Sequence, residues 1–191
     1  EVAYFLGDAK PTLAVCAPSN KAAFDKMIVG TSVRKVRTLI SDGNGNGSLA
    51  VLAAISGKSF ATVSVKKDDL AAILYTSGTT GRSKGAMLSH ENLRSNALTL
   101  VSYWQFFPDD ILLHPLPIFH THGLFVATNT VLLSGGSIIL LPKFDVAEMI
   151  KQMPHCTVMM GVPTHYLRLL ATPDLTRGVA KDMRLFISGS A

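Results

Sequence analysis

The feature that most constrains the fold of this chain is an alternation of short apolar runs with helical patterns, which begins at Leu70 and continues to the end of the sequence. Apolar runs of about four to eight residues are typical of buried strands, and the segments between them place apolar residues at helical spacing. Strands that alternate with helices form parallel sheets, because each helix carries the chain back along one face. The sequence therefore predicts a layered α/β fold with largely parallel sheets flanked by helices.

The same patterns predict the individual elements. Helices are expected over residues 1–10, 21–29, 49–55, 89–104, 123–133, 145–153 and 164–171. Strands are expected over residues 12–16, 33–40, 70–74, 111–113, 137–141, 157–160 and 185–187, and residues 182–184 lead into the last of them. The 70–74 strand and the 123–133 helix are expected to be buried, since both are apolar nearly throughout. A helix is expected to begin within residues 86–90, where Ser89 is a good N-cap.

The stretch from Tyr75 to Gly85 combines three glycines, five serine or threonine residues and one lysine. Glycine lets backbone N–H groups converge without obstruction by a Cβ atom, and converging N–H groups form a concave anion site. The hydroxyls add donors, and Lys84 adds a compact positive charge. A polyphosphate uses all of these groups at once, so the stretch is predicted to be a phosphate-binding loop.

The order of residues in this loop is not that of a Walker A motif. Lys84 follows Ser83, and Gly85 stands where that motif requires a magnesium-binding hydroxyl. A P-loop NTPase is therefore disfavoured. A flexible linker is the plain alternative, but linkers rarely carry this order of glycines, hydroxyls and lysine directly after an apolar strand.

Composition excludes several classes of function. Hydrophobic residues make up 48% of the chain and charged residues 16%, and every apolar run is interrupted before it reaches the length of a membrane span. The net charge of +5 is spread along the chain without interleaved aromatic residues, so no nucleic-acid partner is expected. Cys16 and Cys156 lie far apart and form no disulfide framework, which fits a cytoplasmic protein or one of an organelle matrix.

Four segments share the wording and order of motifs known from one superfamily: residues 75–85, 116–124, 160–164 and 185–191. They resemble the phosphate loop, the following motif, the junction beside the acyl pocket and the start of the adenine-binding segment of adenylate-forming enzymes. That superfamily comprises acyl-CoA synthetases, luciferases and peptide-synthetase adenylation domains. Within it, residues 80–90 and 120–127 most resemble malonyl-CoA synthetases. The likeness covers the chain from about residue 70 onward, and residues 1–69 fit more loosely.

The resemblance implies an acid–thiol ligase that uses ATP and Mg²⁺. The carboxylate of a small acid, here malonate, attacks the α-phosphate of ATP to give an acyl-adenylate, and the thiol of coenzyme A then displaces AMP. Two alternatives stay open. One is an enzyme that adenylates a fatty, aryl or amino acid, and the other is a non-catalytic nucleotide-binding module with the same fold.

The resemblance also assigns expected roles to residues. His120 is expected in catalysis near the α-phosphate, although an imidazole that is hydrogen-bonded inside a proline-containing turn is the structural alternative. The acid is expected to contact Thr121, His122 and Arg168, of which Arg168 could equally be an exposed helical arginine. The residues expected to bind ATP are Thr76, Ser77, Gly78, Thr79, Thr80, Gly81, Arg82, Ser83, Lys84, Gly189, Ser190 and Ala191.

A zinc site formed by His114, His120 and His122 is a weaker possibility on the residues alone. The spacing would allow it, but two prolines separate the first two histidines and no nearby cysteine or carboxylate completes the set. No metal site is therefore expected among these residues.

The resemblance further implies that residues 1–191 are part of a large N-terminal adenylation domain. Residues 41–48, where glycine recurs at every second position, are expected to form a surface loop within it. The acidic motif that serves magnesium, the ribose-binding aspartate and the C-terminal domain with its catalytic lysine are expected beyond residue 191. The 191 residues alone are expected to be inactive.

Overall fold

A computed structural model describes residues 1–40, 46–76 and 82–190. The chain divides into two compact units, Glu1–Ser64 and Val65–Ala191. Most of the loop predicted at 41–48 and the centre of the phosphate loop therefore lie outside the described residues. The assignment of all 191 residues to one partial adenylation domain stays a prediction.

The first unit pairs two short parallel strands with three helices. Strand β1 (Leu13–Cys16) lies in register beside β2 (Lys35–Thr38). Its core consists of Leu6, Ala14, Val33 and Val36. The helices are α1 (Val2–Ala9), α2 (Lys21–Met27) and α3 (Ser48–Ile55). The predicted elements are thus all present, although only one of the four residues of β1 is buried.

The second unit begins with a β-hairpin, which corrects two expectations. Strands β3 (Leu70–Thr76) and β4 (Lys84–Ser89) pair antiparallel, so the predicted phosphate loop joins two strands rather than a strand and a helix. Strand β3 is only partly buried, and Leu70 is 48% exposed. A two-stranded hairpin cannot enclose either of its strands, which explains why an apolar run here is not a core strand.

Helix α4 (His90–Tyr103) begins directly after the hairpin. The Ser89 side chain accepts a hydrogen bond from the Asn92 backbone, and the Asn92 side chain accepts one from the Ser89 backbone. The predicted N-cap at Ser89 is thereby confirmed, in the reciprocal arrangement of a capping box.

A four-stranded, fully parallel sheet forms the centre of the second unit, and its strand order is β6-β5-β7-β8. Its strands are β5 (Ile111–His114), β6 (Ser137–Leu140), β7 (Val158–Gly161) and β8 (Leu185–Ser188). Apolar side chains cover both faces. Leu112 and Met160 belong to one cluster, and Leu113 and Met159 belong to the other. This alternation confirms the predicted layered α/β fold.

The segment predicted as one buried helix over 123–133 differs in geometry and in burial. It consists of a π-helix (His122–Thr128) that continues into α5 (Asn129–Ser134), and Leu132 and Leu133 are 61% and 50% exposed. Gly135, with φ of 84°, ends α5 as predicted. In the wider first turns, the Gly123 carbonyl lies within hydrogen-bonding distance of the side chains of His114 and Thr128.

Helices α6 (Val146–Gln152) and α7 (Pro163–Leu170) complete the unit. Asp145 caps α6 through a hydrogen bond from the Glu148 backbone N–H, and Pro163 occupies the first turn of α7, as the sequence predicts. Among the residues that the structure describes, no helix combines the length and the apolar character needed to cross a membrane.

Candidate functional site

The topology of the parallel sheet places a crevice at one particular position. From β5 the chain moves to β6 on one side, and it then returns to β7 on the other side of β5. Ligands of open α/β sheets bind beyond the carboxyl ends of the strands where the order reverses in this way. Here that position lies after His114 and Gly161.

A cavity of about 290 Å³ occupies this position, and we refer to it as the switch-point cavity. Three chain segments line it, each of which directly follows a strand of the sheet. The lining residues are Leu116, Pro117, His120, Thr121, His122, Gly123, Val162 and Ser190. The structure thus brings together four residues that the sequence assigned to three different roles: His120, Thr121, His122 and Ser190.

The wall formed by residues 116–123 is tightly folded. The His120 backbone N–H donates to the carbonyl oxygen of Pro117 over 3.3 Å, and the Leu124 N–H donates to the carbonyl of His120 over 2.9 Å. A Cβ atom at Gly123 would lie 2.3 Å from the Pro117 carbonyl oxygen, a distance that real structures do not show. The wall therefore requires glycine at position 123.

His122 presents an unused polar atom at this wall. Its Nδ1 is buried and has no hydrogen-bond partner within the described part of the chain. Burial, and secondarily the proximity of His114, lower the pKa of His122 below its usual value. The imidazole is therefore neutral at pH 7 and able to form a hydrogen bond with a ligand.

His120 differs from His122 because its side chain is exposed. Its ring lies 4.6 Å from the ring of Phe119, tilted by 48°. The sequence also allowed an imidazole that is hydrogen-bonded within the turn. In the structure, the hydrogen bonds that order the turn are instead made by the His120 backbone. The imidazole is thus open to a ligand in the cavity.

The described residues among those predicted to bind ATP lie in two places, at the switch-point cavity and at the end of the hairpin. Ser190 lines the switch-point cavity with φ of 59°, and a Cβ atom added to Gly189 would lie 3.8 Å from Cε1 of His122. Thr76 and Lys84 pair across the hairpin where the predicted loop begins and ends. None of Thr76, Arg82, Ser83 and Lys84 lines the cavity. The other five loop positions, Ser77–Gly81, and Ala191 lie outside the described residues.

Arg168 does not line the switch-point cavity. It is exposed on α7, and its guanidinium carbon lies 4.9 Å from the centre of the Phe144 ring. That ring stacks on His165 at 4.0 Å between centroids, so the aromatic side chain contacts a cation and an imidazole. The structure therefore separates Arg168 from the other three predicted acid-binding and catalytic residues.

The three histidines considered for zinc do not form a metal site. Nδ1 of His114 accepts a hydrogen bond from the Leu116 N–H, and Nε2 lies 2.9 Å from the Gly123 carbonyl oxygen. Both ring nitrogens are thus engaged. Across residues 1–40, 46–76 and 82–190, no group of three histidine, cysteine or acidic side chains is placed to hold a metal ion.

Sequence reasoning named no apolar side chain of the cavity individually, and it missed the burial of His114. Leu116, Pro117 and Val162 line the cavity, and each follows a predicted strand within a few residues. That position after a strand was the available signal. His114 carried no such signal, since a histidine at the end of an apolar strand looks the same whether its ring is buried or exposed.

The family model for AMP-binding enzymes matches residues 1–191, and the chain belongs to this family. The parallel sheet, the cavity at its reversal point and the segment from His120 to Gly123 are thus features of an AMP-binding enzyme.

Several relatives are malonate–CoA ligases. The chain is 38% identical over 141 residues to the mitochondrial malonate–CoA ligase ACSF3 of Mus musculus, which covers 65% of this chain and 24% of that protein. It is 35% identical over 144 residues to the malonate–CoA ligase of Arabidopsis thaliana, and this alignment covers 65% of this chain and 24% of that protein. These alignments span about a quarter of each curated relative.

A solved structure extends the likeness over the whole chain. The ATP-bound crystal structure of MatB from Rhodopseudomonas palustris matches with a TM-score of 0.94 and 56% identity, over 100% of this chain and 37% of that one. The N-terminal domain of FACL13 from Mycobacterium tuberculosis matches with a TM-score of 0.84 and 26% identity. The predicted family and fold class are confirmed.

Proposed function

We propose that the protein is an AMP-forming acid–thiol ligase that converts malonate to malonyl-CoA through a malonyl-adenylate. One observation carries the proposal: the cavity where the sheet order reverses is lined by His120, Thr121, His122 and Ser190. The naming of malonate–CoA ligases among the relatives supports malonate as the acid.

The reaction has two halves, and both need alignment of charged groups more than covalent chemistry by side chains. In the first, a carboxylate oxygen forms a bond to the α-phosphorus of ATP and the bond to pyrophosphate breaks. In the second, the sulfur of coenzyme A attacks the acyl carbonyl and AMP leaves. We place the reacting carboxylate in the switch-point cavity, where the exposed imidazole of His120 stabilises the charge on the α-phosphate.

ATP is the nucleotide substrate in this proposal. Residues Thr76–Lys84 hold its β- and γ-phosphates, with Lys84 as the cation, and Gly189, Ser190 and Ala191 contact the adenine. Lys84 is exposed at the first position of β4, where its ammonium group is available to an anion. The ATP-bound state of MatB, which shares the fold over this entire chain, supports this assignment.

The acid requires donors for its second carboxylate, because a buried charge without a partner is costly. We assign one hydrogen bond to His122, whose buried Nδ1 has no partner among the described residues. Thr121 supplies a hydroxyl beside it. Arg168 is the proposed cation. Because its guanidinium lies on Phe144, this role needs a change of rotamer when the acid binds.

Mg²⁺ is the expected metal cofactor of this reaction. The described residues do not provide a metal site, so they do not fit a protein-held ion. When bound to the phosphates of ATP, Mg²⁺ would neutralise their charge.

We also propose that residues 1–191 form part of the N-terminal adenylation domain of the enzyme, in keeping with their match to 37% of the MatB chain. Coenzyme A is the thiol substrate, and the second domain contributes to its site. Cys16 and Cys156 are both free thiols, which supports a reducing compartment, either the cytoplasm or an organelle matrix.

The test is acid-dependent exchange of labelled pyrophosphate into ATP by the full-length enzyme, followed by mass-spectrometric detection of the thioester after coenzyme A is added. Malonate is compared with acetate, octanoate, ferulate and glycine. Exchange that depends on malonate, together with malonyl-CoA formation, is the expected result. Exchange with another acid alone would replace malonate by that acid. No exchange with any acid, but measurable binding of ATP, would favour the non-catalytic module.

A further inference from the structure

His114 lies at the carboxyl end of β5, immediately behind the switch-point cavity, and is completely buried. It does not line the cavity, so it cannot touch a substrate there. A buried polar side chain of this kind must satisfy its hydrogen-bonding groups within the protein. The partners that it uses show what it holds in place.

The hydrogen bonds of His114 define its tautomer. The Leu116 backbone N–H donates to Nδ1 over 3.3 Å, so Nδ1 carries a lone pair rather than a proton. The ring proton is therefore on Nε2, which donates to the carbonyl oxygen of Gly123 over 2.9 Å. The ring is neutral, in agreement with the effect of burial, which lowers the pKa of His114 below its ordinary value.

The two partners of the ring are the two ends of the cavity wall. Leu116 begins the wall and Gly123 ends it, and between them lie the three polar residues that face the cavity. The hydroxyl of Thr128 donates to the same Gly123 carbonyl over 2.8 Å, at the start of the π-helix. A single rigid ring thus spans the base of the wall, in the region where backbone geometry departs from an α-helix.

We propose that His114 is a positioning residue: as a neutral brace between Leu116 and Gly123, it sets the placement of His120, Thr121 and His122 toward the acid. The inference rests on the proposed function, because the effect is expressed in binding of the acid. Small displacements of groups that align a substrate have large kinetic consequences.

Two substitutions in the full-length enzyme separate the two hydrogen bonds. In His114→Gln the side-chain amide nitrogen reaches the position of Nε2 and keeps the donor to Gly123. In His114→Asn the side-chain oxygen reaches the position of Nδ1 and keeps only the acceptor for Leu116. The two variants have similar polarity, and each serves as the control for the other.

We expect His114→Asn to raise the KM for malonate by about tenfold to a hundredfold. His114→Gln should raise it by a smaller factor, because it keeps the shorter of the two hydrogen bonds, the one to Gly123. The KM for ATP of both variants should stay near the wild-type value, while the melting temperature falls because a smaller side chain replaces a completely buried ring. A purely structural role would lower the melting temperature and the amount of active enzyme without a selective change in the KM for malonate. An unchanged KM for malonate in His114→Asn, in a folded enzyme that uses malonate, would overturn the proposal and leave the proposed function intact.

A second measurement requires only the wild-type protein. With ¹⁵N-labelled histidine, nuclear magnetic resonance distinguishes the protonated ring nitrogen from the unprotonated one. We expect the His114 signals to show a proton on Nε2 alone between pH 8 and pH 7. A doubly protonated ring or a proton on Nδ1 in this range would overturn the brace, whichever acid the enzyme uses and even if His114→Asn does not fold.

Discussion

Arg184 binds Asp110 with two of its guanidinium nitrogens, and this pair joins the start of β8 to the turn that precedes β5. Nε of Arg184 donates to Oδ1 of Asp110 over 2.7 Å, and a terminal nitrogen donates to Oδ2. The Asp110 side chain is 4% exposed, whereas that of Arg184 is 34% exposed. The carboxylate also accepts hydrogen bonds from the Phe107 backbone and the Thr157 hydroxyl. One buried acid thus fixes three segments at the amino-terminal edge of the sheet.

Replacement of Asp110 by Asn should destabilise the second unit. Both oxygens of the carboxylate accept hydrogen bonds, and an amide leaves at least one buried donor without a partner. We expect the free energy of unfolding to fall by about 2–4 kcal/mol. Urea denaturation of the full-length enzyme measures this loss. Asp109→Asn, at the exposed neighbouring position, is the matched control, and an equal loss in both variants would contradict this account of the pair.

Stability should also depend on pH through Asp110. Burial by itself would raise the pKa of this carboxyl, but the hydrogen bonds from Arg184, Phe107 and Thr157 outweigh it and hold the pKa below its usual value. For an acid with a lowered pKa, the stabilisation is fully present above the unfolded-state pKa and is lost as pH falls through the folded-state pKa. We expect the difference between wild type and Asp110→Asn to be constant from pH 7 to pH 5 and to shrink below about pH 4. A difference that grows on acidification would show the opposite shift.

Gly123→Ala should damage the cavity wall. The added Cβ would lie 2.3 Å from the Pro117 carbonyl oxygen, and relief of that clash requires movement of the backbone. We expect the free energy of unfolding to fall by about 1–3 kcal/mol. The rate of acid-dependent pyrophosphate exchange should fall by about tenfold or more. Gly178→Ala is the control, since a Cβ there meets only Oγ1 of Thr176 at 3.6 Å. Wild-type exchange by Gly123→Ala would mean that the wall tolerates displacement.

Lys84→Met should weaken ATP binding without affecting the fold. Lys84 is exposed at the beginning of β4, so loss of its charge should change stability by less than about 0.5 kcal/mol. If its ammonium group holds a phosphate, the KM for ATP should rise by about tenfold or more, which corresponds to the loss of one charge-assisted hydrogen bond. Steady-state kinetics with saturating acid and coenzyme A measure this. Lys143→Met removes another exposed lysine from the same unit and should leave the KM for ATP unchanged.

The strands and helices were largely predictable because their apolar patterns are local. The sequence predicted the four parallel strands, the Ser89 cap, the Asp145 cap and the glycine that ends α5, and the structure contains each of them. Strand β4 was not predicted. Its residues, Lys84–Ser89, become a strand by pairing with β3, and pairing partners are not encoded in local periodicity.

By itself, the sequence determined the family, the class of fold and the order of the four parallel strands along the chain, because glycine, proline and hydroxyl residues at fixed spacings restrict the backbone wherever they occur. Only the tertiary structure decided which polar groups share a cavity. It brought His120, Thr121, His122 and Ser190 together, left Arg168 on the ring of Phe144, and turned His114 inward, where its ring is hydrogen-bonded to Leu116 and Gly123. Such groupings depend on strand order and on the burial of individual side chains, which arise from contacts between residues distant in the chain.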